Sequence, residues 1–367
     1  MQDSTQQSSL WGHILKRAIK PLLIVIVILG IGQSVRLAYR DMRVAQARAY
    51  TRIVQLQQTL TTASKEDAVA IEAEIAKIEQ TQRSVENIHW GIASWSIAFS
   101  FAALIPPAVY WWLTLRNFEH DVDFFSTLSI YSAGNLGKYV PGKAMVLVLR
   151  SGAMQQRGVQ ISTSIVSIFI ETLSSLSVGG ALGALSIASL DPPPWLMAAA
   201  MGAAVVALVP TIPPVFRRLL VVLTKYRHLR LPKKLATAMS WRLVGGGWLL
   251  FILAWLLMGS SLWIICEAIR DSIAIDVIDG ENFSISSIKL WWICVAASCL
   301  GFVVGFLSML PGGAGVREVV VTMLLAPAIG YAPALVAAVL YRVSNLIAEL
   351  SMAGVALCIA KTSRTSG

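Results

Sequence analysis

The chain has 367 residues, of which 56% are hydrophobic and only 14% charged, and its mean hydropathy is +0.67. One soluble core cannot hide that much apolar surface, so the composition excludes a soluble globular domain and points to an all-α polytopic membrane protein. The net charge of +10 does not indicate a nucleic-acid partner, because cytoplasmic loops of membrane proteins carry surplus Lys and Arg for topological reasons.

The chain opens with "WGHILKRAIKPLLIVIVILGIG", where Lys16, Arg17 and Lys20 precede an apolar run. Small-residue cleavage candidates lie well past the end of that run, so residues 1–38 read as an uncleaved first transmembrane helix with a cytoplasmic N-terminus. Residues 39–88 differ in kind: they are polar and lack Pro and Gly, with Val44, Tyr50, Ile53, Leu56 and Leu60 at helical spacing. "TTASKED" interrupts them, with Ser64 and Asp67 at capping-box spacing, and Ile71, Ile75, Ile78, Val85 and Ile88 resume the pattern. The first arm is mostly basic (Arg40, Arg43, Arg48, Arg52) and the second mostly acidic (Glu66, Asp67, Glu72, Glu74, Glu79, Glu86), which predicts an antiparallel helical hairpin outside the membrane. A solvated spacer is the plainer role for it, and docking of a protein partner stays open.

Residues 89–367 form the expected membrane core. Apolar spans are predicted at about 91–115, 161–190, 195–214, 243–269, 287–310 and 332–360, each near the ~20 residues that cross a ~30 Å hydrocarbon layer. With the first helix, about seven or eight transmembrane helices result, in addition to the two broken segments described next. Between Phe216 and Arg242 the charged residues are all basic, whereas "DPPP" and "DSIAIDVIDGEN" separate other spans. The basic loop therefore belongs inside and the other two connections outside. The aromatic pairs Trp111–Trp112 and Trp291–Trp292 read as interfacial belts. Cys266, Cys294, Cys299 and Cys358 lie in apolar runs without C-x-x-C spacing and read as small core residues. No His, Asp or Glu cluster has ligand spacing, so neither a metal nor any other cofactor is expected.

Two stretches, 124–157 and 311–331, are apolar but broken by Gly, Pro and charge, as in re-entrant or discontinuous helix pairs. The first contains "GNLGKYVPGK", which from Gly137 to Lys143 reads G-x-x-x-x-G-K, the opening of a phosphate-binding P-loop. Ala144 stands where such a loop needs Ser or Thr, Pro141 has no N–H to offer, and the flanks are membrane helices, so an ATP site is rejected. Gly137, Pro141 and Gly142 instead suit a helix break, and Lys138 and Lys143 beside a restarting helix suit an anion such as a lipid phosphate. The second stretch supplies a matching break at Pro311, Gly312, Gly313 and Gly315. "VPGK" is followed by Arg150, Gly158 and a helix with Glu171; "LPGG" is followed by Arg317, Gly330 and a helix with Arg342. This reads as a weak internal repeat. Charges inside a bilayer are costly and face cavities or each other, which singles out Arg150, Glu171, Arg317, Glu318, Arg342 and Glu349. Arg342 and Glu349 are seven apart, nearly on one helix face, and can share a polar stripe with Asn345.

"KYVPGK" with Arg150 and Glu171, and "LPGGAGVRE" with the later Arg342, resemble the lysylphosphatidylglycerol synthetase transmembrane-domain family, over about residues 90–360. The resemblance implies a flippase-like membrane region of the kind that moves aminoacylated phosphatidylglycerol between leaflets in a prokaryotic cytoplasmic (inner) membrane. After "KTSRTSG" no soluble aminoacyl-transfer domain is expected, so synthesis of a lysyl-lipid is not implied. The 39–88 hairpin is not a feature of that resemblance.

Three functions stay open on the residues. The first is a lipid transporter whose Lys138, Lys143, Arg150, Arg317 and Arg342 bind an anionic headgroup, while Glu171, Glu318 and Glu349 orient those cations or carry a coupling proton. The second is an intramembrane transferase acting on a lipid phosphate, and the third a scaffold that docks partners through the hairpin. Transport, rather than catalysis, is the expectation.

Overall fold

Helix length sorts the described residues into long, membrane-sized helices and shorter ones. The computed structural model describes residues 47, 50–83, 88–139, 144–190, 193–218, 240–269 and 286–365. The first predicted membrane helix, most of the basic loop, the acidic loop and the motif residues Pro141, Gly142 and Lys143 lie outside the described residues. All regular structure among the described residues is helical.

Residues 50–60 are helical and face α1 (Lys65–Arg83) across a turn. Ser64 and Asp67 close that turn: the Asp67 N–H donates to Ser64 Oγ at 3.3 Å, and the hydroxyl donates to the Asp67 carboxylate at 2.7 Å. Arg52 donates to Glu74 at 3.0 Å between the arms, and Ile53 and Leu56 are buried. The ion pair is half exposed and contributes little, so burial of the apolar residues is the firmer link.

The core begins with α2 (Trp90–Ala103) and α3 (Ile105–Asn117). The sequence predicted one uninterrupted span here. Pro106 and Pro107 cannot donate to a helix ladder, so the run is divided at Leu104 and restarts with proline in its first turn. Two 12-residue helices follow, α4 (Phe124–Asn135) and α5 (Ala144–Gln155), with a 3₁₀ turn at Leu136–Tyr139. Each is roughly 18 Å long at 1.5 Å per residue, well short of a ~30 Å hydrocarbon layer. They run antiparallel: Arg157 donates to Ser126 at 2.5 Å at one end, and Gly137 abuts Val146 at the other. This is the arrangement expected of a broken pair.

Then come the long helices α6 (Ile161–Ala188), α8 (Trp241–Ala268), α9 (Ser287–Leu307) and α11 (Tyr331–Thr365), with the 15-residue α7 (Pro194–Leu208) after α6 and the 14-residue α10 (Val316–Ile329) between α9 and α11. Seven stretches among the described residues are long and apolar enough to cross a membrane: Trp90–Asn117, Ile161–Ala188, Pro194–Thr211, Trp241–Ala268, Ser287–Leu307, Pro311–Ile329 and Pro333–Ile359. The protein is an integral membrane protein of all-helical fold.

Helix α8 packs against α2, α3, α6, α9 and α11, and α6 packs against α7, α9, α3 and α5. Small residues allow the close approaches: Gly247 lies under Tyr110, Gly259 under Val295 and Gly179 under Trp255. Buried hydroxyls add cross-links, Ser96 with Ser344 at 2.7 Å and Ser100 with Ser261 at 2.8 Å, which join α2 to α11 and α8. Cys266, Cys294 and Cys299 are buried, as expected, while Cys358 is exposed.

The two broken segments end alike. Gly158 (φ +81°) separates short α5 from long α6, and Gly330 (φ +84°) separates short α10 from long α11. The weak sequence repeat thus coincides with two short-helix, glycine, long-helix units.

Candidate functional site

The two break motifs meet. The 3₁₀ turn Leu136–Tyr139 touches a second 3₁₀ turn, Pro311–Gly313, although some 170 residues of chain separate them. Gly312 is the close point: its φ is +57°, and a β-carbon there would lie 3.2 Å from the Tyr139 ring and 2.9 Å from Arg342 Nη2. A residue with a side chain would be both strained and crowded at this position. The bare backbone also leaves the Gly312 carbonyl open to accept from Arg342 Nη1 at 2.9 Å.

Around this junction the intramembrane charges form pairs. In the second motif, Glu318 on α10 faces Arg342 on α11, with Nε and Oε1 3.5 Å apart. The other Glu318 oxygen accepts from the Gly315 N–H at 2.8 Å, fixing the first turn of α10. In the first motif, Arg150 on α5 donates through Nη1 to Glu171 on α6 at 2.7 Å, and through Nη2 to Asn135 Oδ1. Each unit therefore ties its short helix to its long helix with one Arg–Glu pair, and the signs are exchanged. Arg is on the short helix in the first unit and on the long helix in the second.

Arg150 is only 1% exposed, and its guanidinium carbon lies 4.0 Å from the centroid of the Tyr131 ring and 5.0 Å from that of Trp111. Aromatic faces and a buried carboxylate together offset the desolvation of this cation. Trp111 is therefore not an interfacial belt residue as the sequence suggested. It is fully buried and donates to Ser167 at 2.9 Å, because α4, α5 and α6 close over it. Trp291, by contrast, is partly buried and donates to Ser260 at 2.9 Å.

A third pair bridges the units. Lys138, in the first turn, pairs with Glu349 of α11, whose other oxygen accepts from the Tyr139 hydroxyl at 3.0 Å. The Tyr139 ring has the Lys138 ammonium 5.3 Å from its centroid and the Arg342 guanidinium 5.7 Å from it. Glu349 thus partners Lys138 and not Arg342, the helix-face neighbour suggested by their spacing, and Asn345 lies between them on the same helix.

Arg317 differs from the other described cations of the site. No carboxylate of the described residues lies within ion-pair distance of it. Its stem runs against Gly305 and Gly313, and its guanidinium sits 5.3 Å from the centroid of the Phe302 ring. Two small cavities flank the charged residues, each of about 10 Å³, roughly the room for one water. One is lined by Arg317, Glu318, Tyr341, Arg342 and Asn345. The other is lined by Tyr131, Ser132, Asn135 and Glu349 and adjoins the Arg150 pair.

Of the residues the sequence singled out, the structure gathers Lys138, Arg150, Glu171, Arg317, Glu318, Arg342 and Glu349, with Gly137, Pro311, Gly312, Gly313 and Gly315 in the turns that position them. Lys143, Pro141 and Gly142 lie outside the described residues. Sequence reading missed Tyr131, Asn135 and Tyr139, which bind the charges directly; their positions within or just before "GNLGKYVPGK" were the available signal.

A comparison with curated proteins finds no match. The pattern of the family described as "Lysylphosphatidylglycerol synthase TM region" matches residues 68–350, well over half of the chain. With its apolar helices and paired intramembrane charges, this protein belongs to the lysylphosphatidylglycerol synthase transmembrane-region family.

Proposed function

We propose that the protein binds the headgroup of an anionic lipid, of phospholipid, aminoacyl-phospholipid or polyprenyl-phosphate type, where its two broken segments meet, and moves it between leaflets of a prokaryotic inner membrane. One observation carries this reading: turns distant in sequence bring Lys138, Arg317 and Arg342 to one junction, and Arg317 has no carboxylate partner among the described residues. A cation held among membrane helices needs a counter-charge, and a lipid phosphate can supply one.

The arrangement fits a closed state. Cavities of about 10 Å³ are too small for a phosphate, and Lys138, Arg150 and Arg342 are each neutralised by a glutamate. Headgroup binding then exchanges one set of partners for another: phosphate oxygens take up Arg317, Arg342 and Lys138, and Glu318 and Glu349 are released or take up a proton. Such an exchange keeps the number of unpaired charges low throughout, which is what a low-dielectric path requires. Lys143 would extend the cation set at the first break.

Leaflet-resolved lipid movement in vesicles holding the purified protein tests the reading. Arg317→Ala and Arg342→Ala are each expected to lower the rate at least tenfold, and unchanged movement in both variants would overturn it.

A further inference from the structure

Three glutamates pair with the intramembrane cations, and they differ in what holds their charge. Glu171 faces Arg150, which is 1% exposed and also bound to Asn135, so this pair stays closed. Glu318 accepts from the Gly315 N–H at 2.8 Å in the first turn of α10. A helix N-terminus favours a negative charge, so Glu318 stays ionised even when Arg342 turns to another anion. Glu349 has neither support. It is 7% exposed, and its ion-pair partner Lys138 has a side chain that is 29% exposed, on a flexible stem that can swing to a new counter-charge.

We infer, resting on the headgroup reading above, that Glu349 is the carboxylate that takes up a proton when a headgroup binds, so that lipid phosphate and proton enter the site together. When the phosphate takes Lys138, Glu349 keeps the Tyr139 hydroxyl, which donates at 3.0 Å, but a buried carboxylate without a cation is costly. One proton from solution adds to the carboxylate to give the neutral acid, while the Lys138 ammonium keeps its own protons and moves to the phosphate. Anion and proton together leave the net charge of the junction unchanged. The new carboxyl O–H needs an acceptor. Glu349 lines a cavity with Tyr131, Ser132 and Asn135 whose volume of about 10 Å³ gives room for one water, so acceptors of the right size are at hand. The other charged groups nearby are Arg342 on the same helix, held by the Gly312 carbonyl and Glu318, and Arg317 on α10. Of the helices packed on α11, α2 has no ionisable side chain, and α8 carries Arg242, Cys266 and Glu267 only at its ends.

Counting protons on binding tests this. The purified full chain in detergent is titrated with dihexanoyl phosphatidylglycerol in buffers of different ionisation heat near neutral pH, and the difference in binding heat gives the protons exchanged. The unmodified protein is expected to take up about one proton per bound lipid. Glu349→Gln is expected to take up none, because its amide does not titrate there. Lys138→Met is also expected to take up none, because Glu349 has then lost its cation before the lipid arrives and is already neutral. Glu318→Gln should keep the uptake. Binding to the unmodified protein without proton uptake, or full uptake in Glu349→Gln, overturns the inference. Should Glu349→Gln fail to fold, Lys138→Met decides, and full uptake there overturns it equally. Leaflet-resolved movement of the same lipid class separates the two readings. Lipid binding and movement without proton uptake defeat only this inference, proton uptake on binding without movement defeats only the transport step, and absence of binding defeats both.

Discussion

Gly134 and Arg150 are packed so closely that a β-carbon on Gly134 would stand 2.4 Å from Cγ of Arg150. The contact places the Arg150 stem flat against α4 and directs its guanidinium to Asn135 and Glu171. Gly134→Ala therefore pushes the arginine off its partners. The expected loss is about 1–3 kcal/mol, typical of overpacking a filled site, read as a lower unfolding midpoint in detergent. Gly152→Ala, on the same helix as Arg150 but with open space around it, should be neutral or slightly stabilising, and equal losses at the two positions would show that the contact is not important.

The Arg150–Glu171 and Lys138–Glu349 pairs should respond differently to loss of the acid. Arg150 is 1% exposed and cannot reach water, so Glu171→Leu strands a buried cation and should cost about 3–5 kcal/mol. The Lys138 side chain is 29% exposed and can bend its ammonium outwards, so Glu349→Leu should cost clearly less. The double variant Arg150→Leu with Glu171→Leu should recover much of the loss, since an apolar pair replaces the ions without leaving either unpaired. A double-mutant cycle on unfolding midpoints checks all three expectations.

Much of this arrangement was legible before any coordinates. Hydropathy gave the spans, and charges inside apolar runs pointed to Arg150, Glu171, Arg317, Glu318, Arg342 and Glu349, because an ionised group in a bilayer is expensive enough to need a reason. The partners were less legible. Helical spacing put Glu349 on the same face as Arg342, yet Glu349 binds Lys138, 211 residues away in sequence, and Arg342 turns to Glu318. That choice depends on the contact between two turns, which no local periodicity encodes. Trp111 was misread for a related reason: hydropathy ranks a lipid-facing and a core tryptophan alike, and only the closure of α4, α5 and α6 over the ring distinguishes them.

The cysteines offer a simple check on the packing of α8 and α9. Cys266, Cys294 and Cys299 are fully buried, with the sulfurs of Cys266 and Cys294 3.8 Å apart, while Cys358 is exposed near the end of α11. A membrane-permeant maleimide should label Cys358 in the folded protein and leave the other three unlabelled. All four should react once the protein is unfolded in SDS, and mass spectrometry gives the count. Rapid labelling of Cys294 in the folded state would contradict the packing of α8 on α9.

Arg342→Lys separates charge from geometry at the junction. The guanidinium works in two directions at once: Nη1 donates to the Gly312 carbonyl at 2.9 Å, and Nε faces Glu318 at 3.5 Å. An ammonium keeps the charge but is a compact point donor on a flexible stem, and it spans a carbonyl and a carboxylate less well than a planar fork does. If the arginine fork holds the two turns in register for the headgroup, Arg342→Lys should retain no more than about a tenth of the unmodified lipid-movement rate, close to Arg342→Ala. Its unfolding midpoint should fall by less than that of Arg342→Ala, because the Glu318 carboxylate keeps a counter-charge. Full lipid movement in Arg342→Lys would show that positive charge alone suffices and that the bond to Gly312 only fixes the fold.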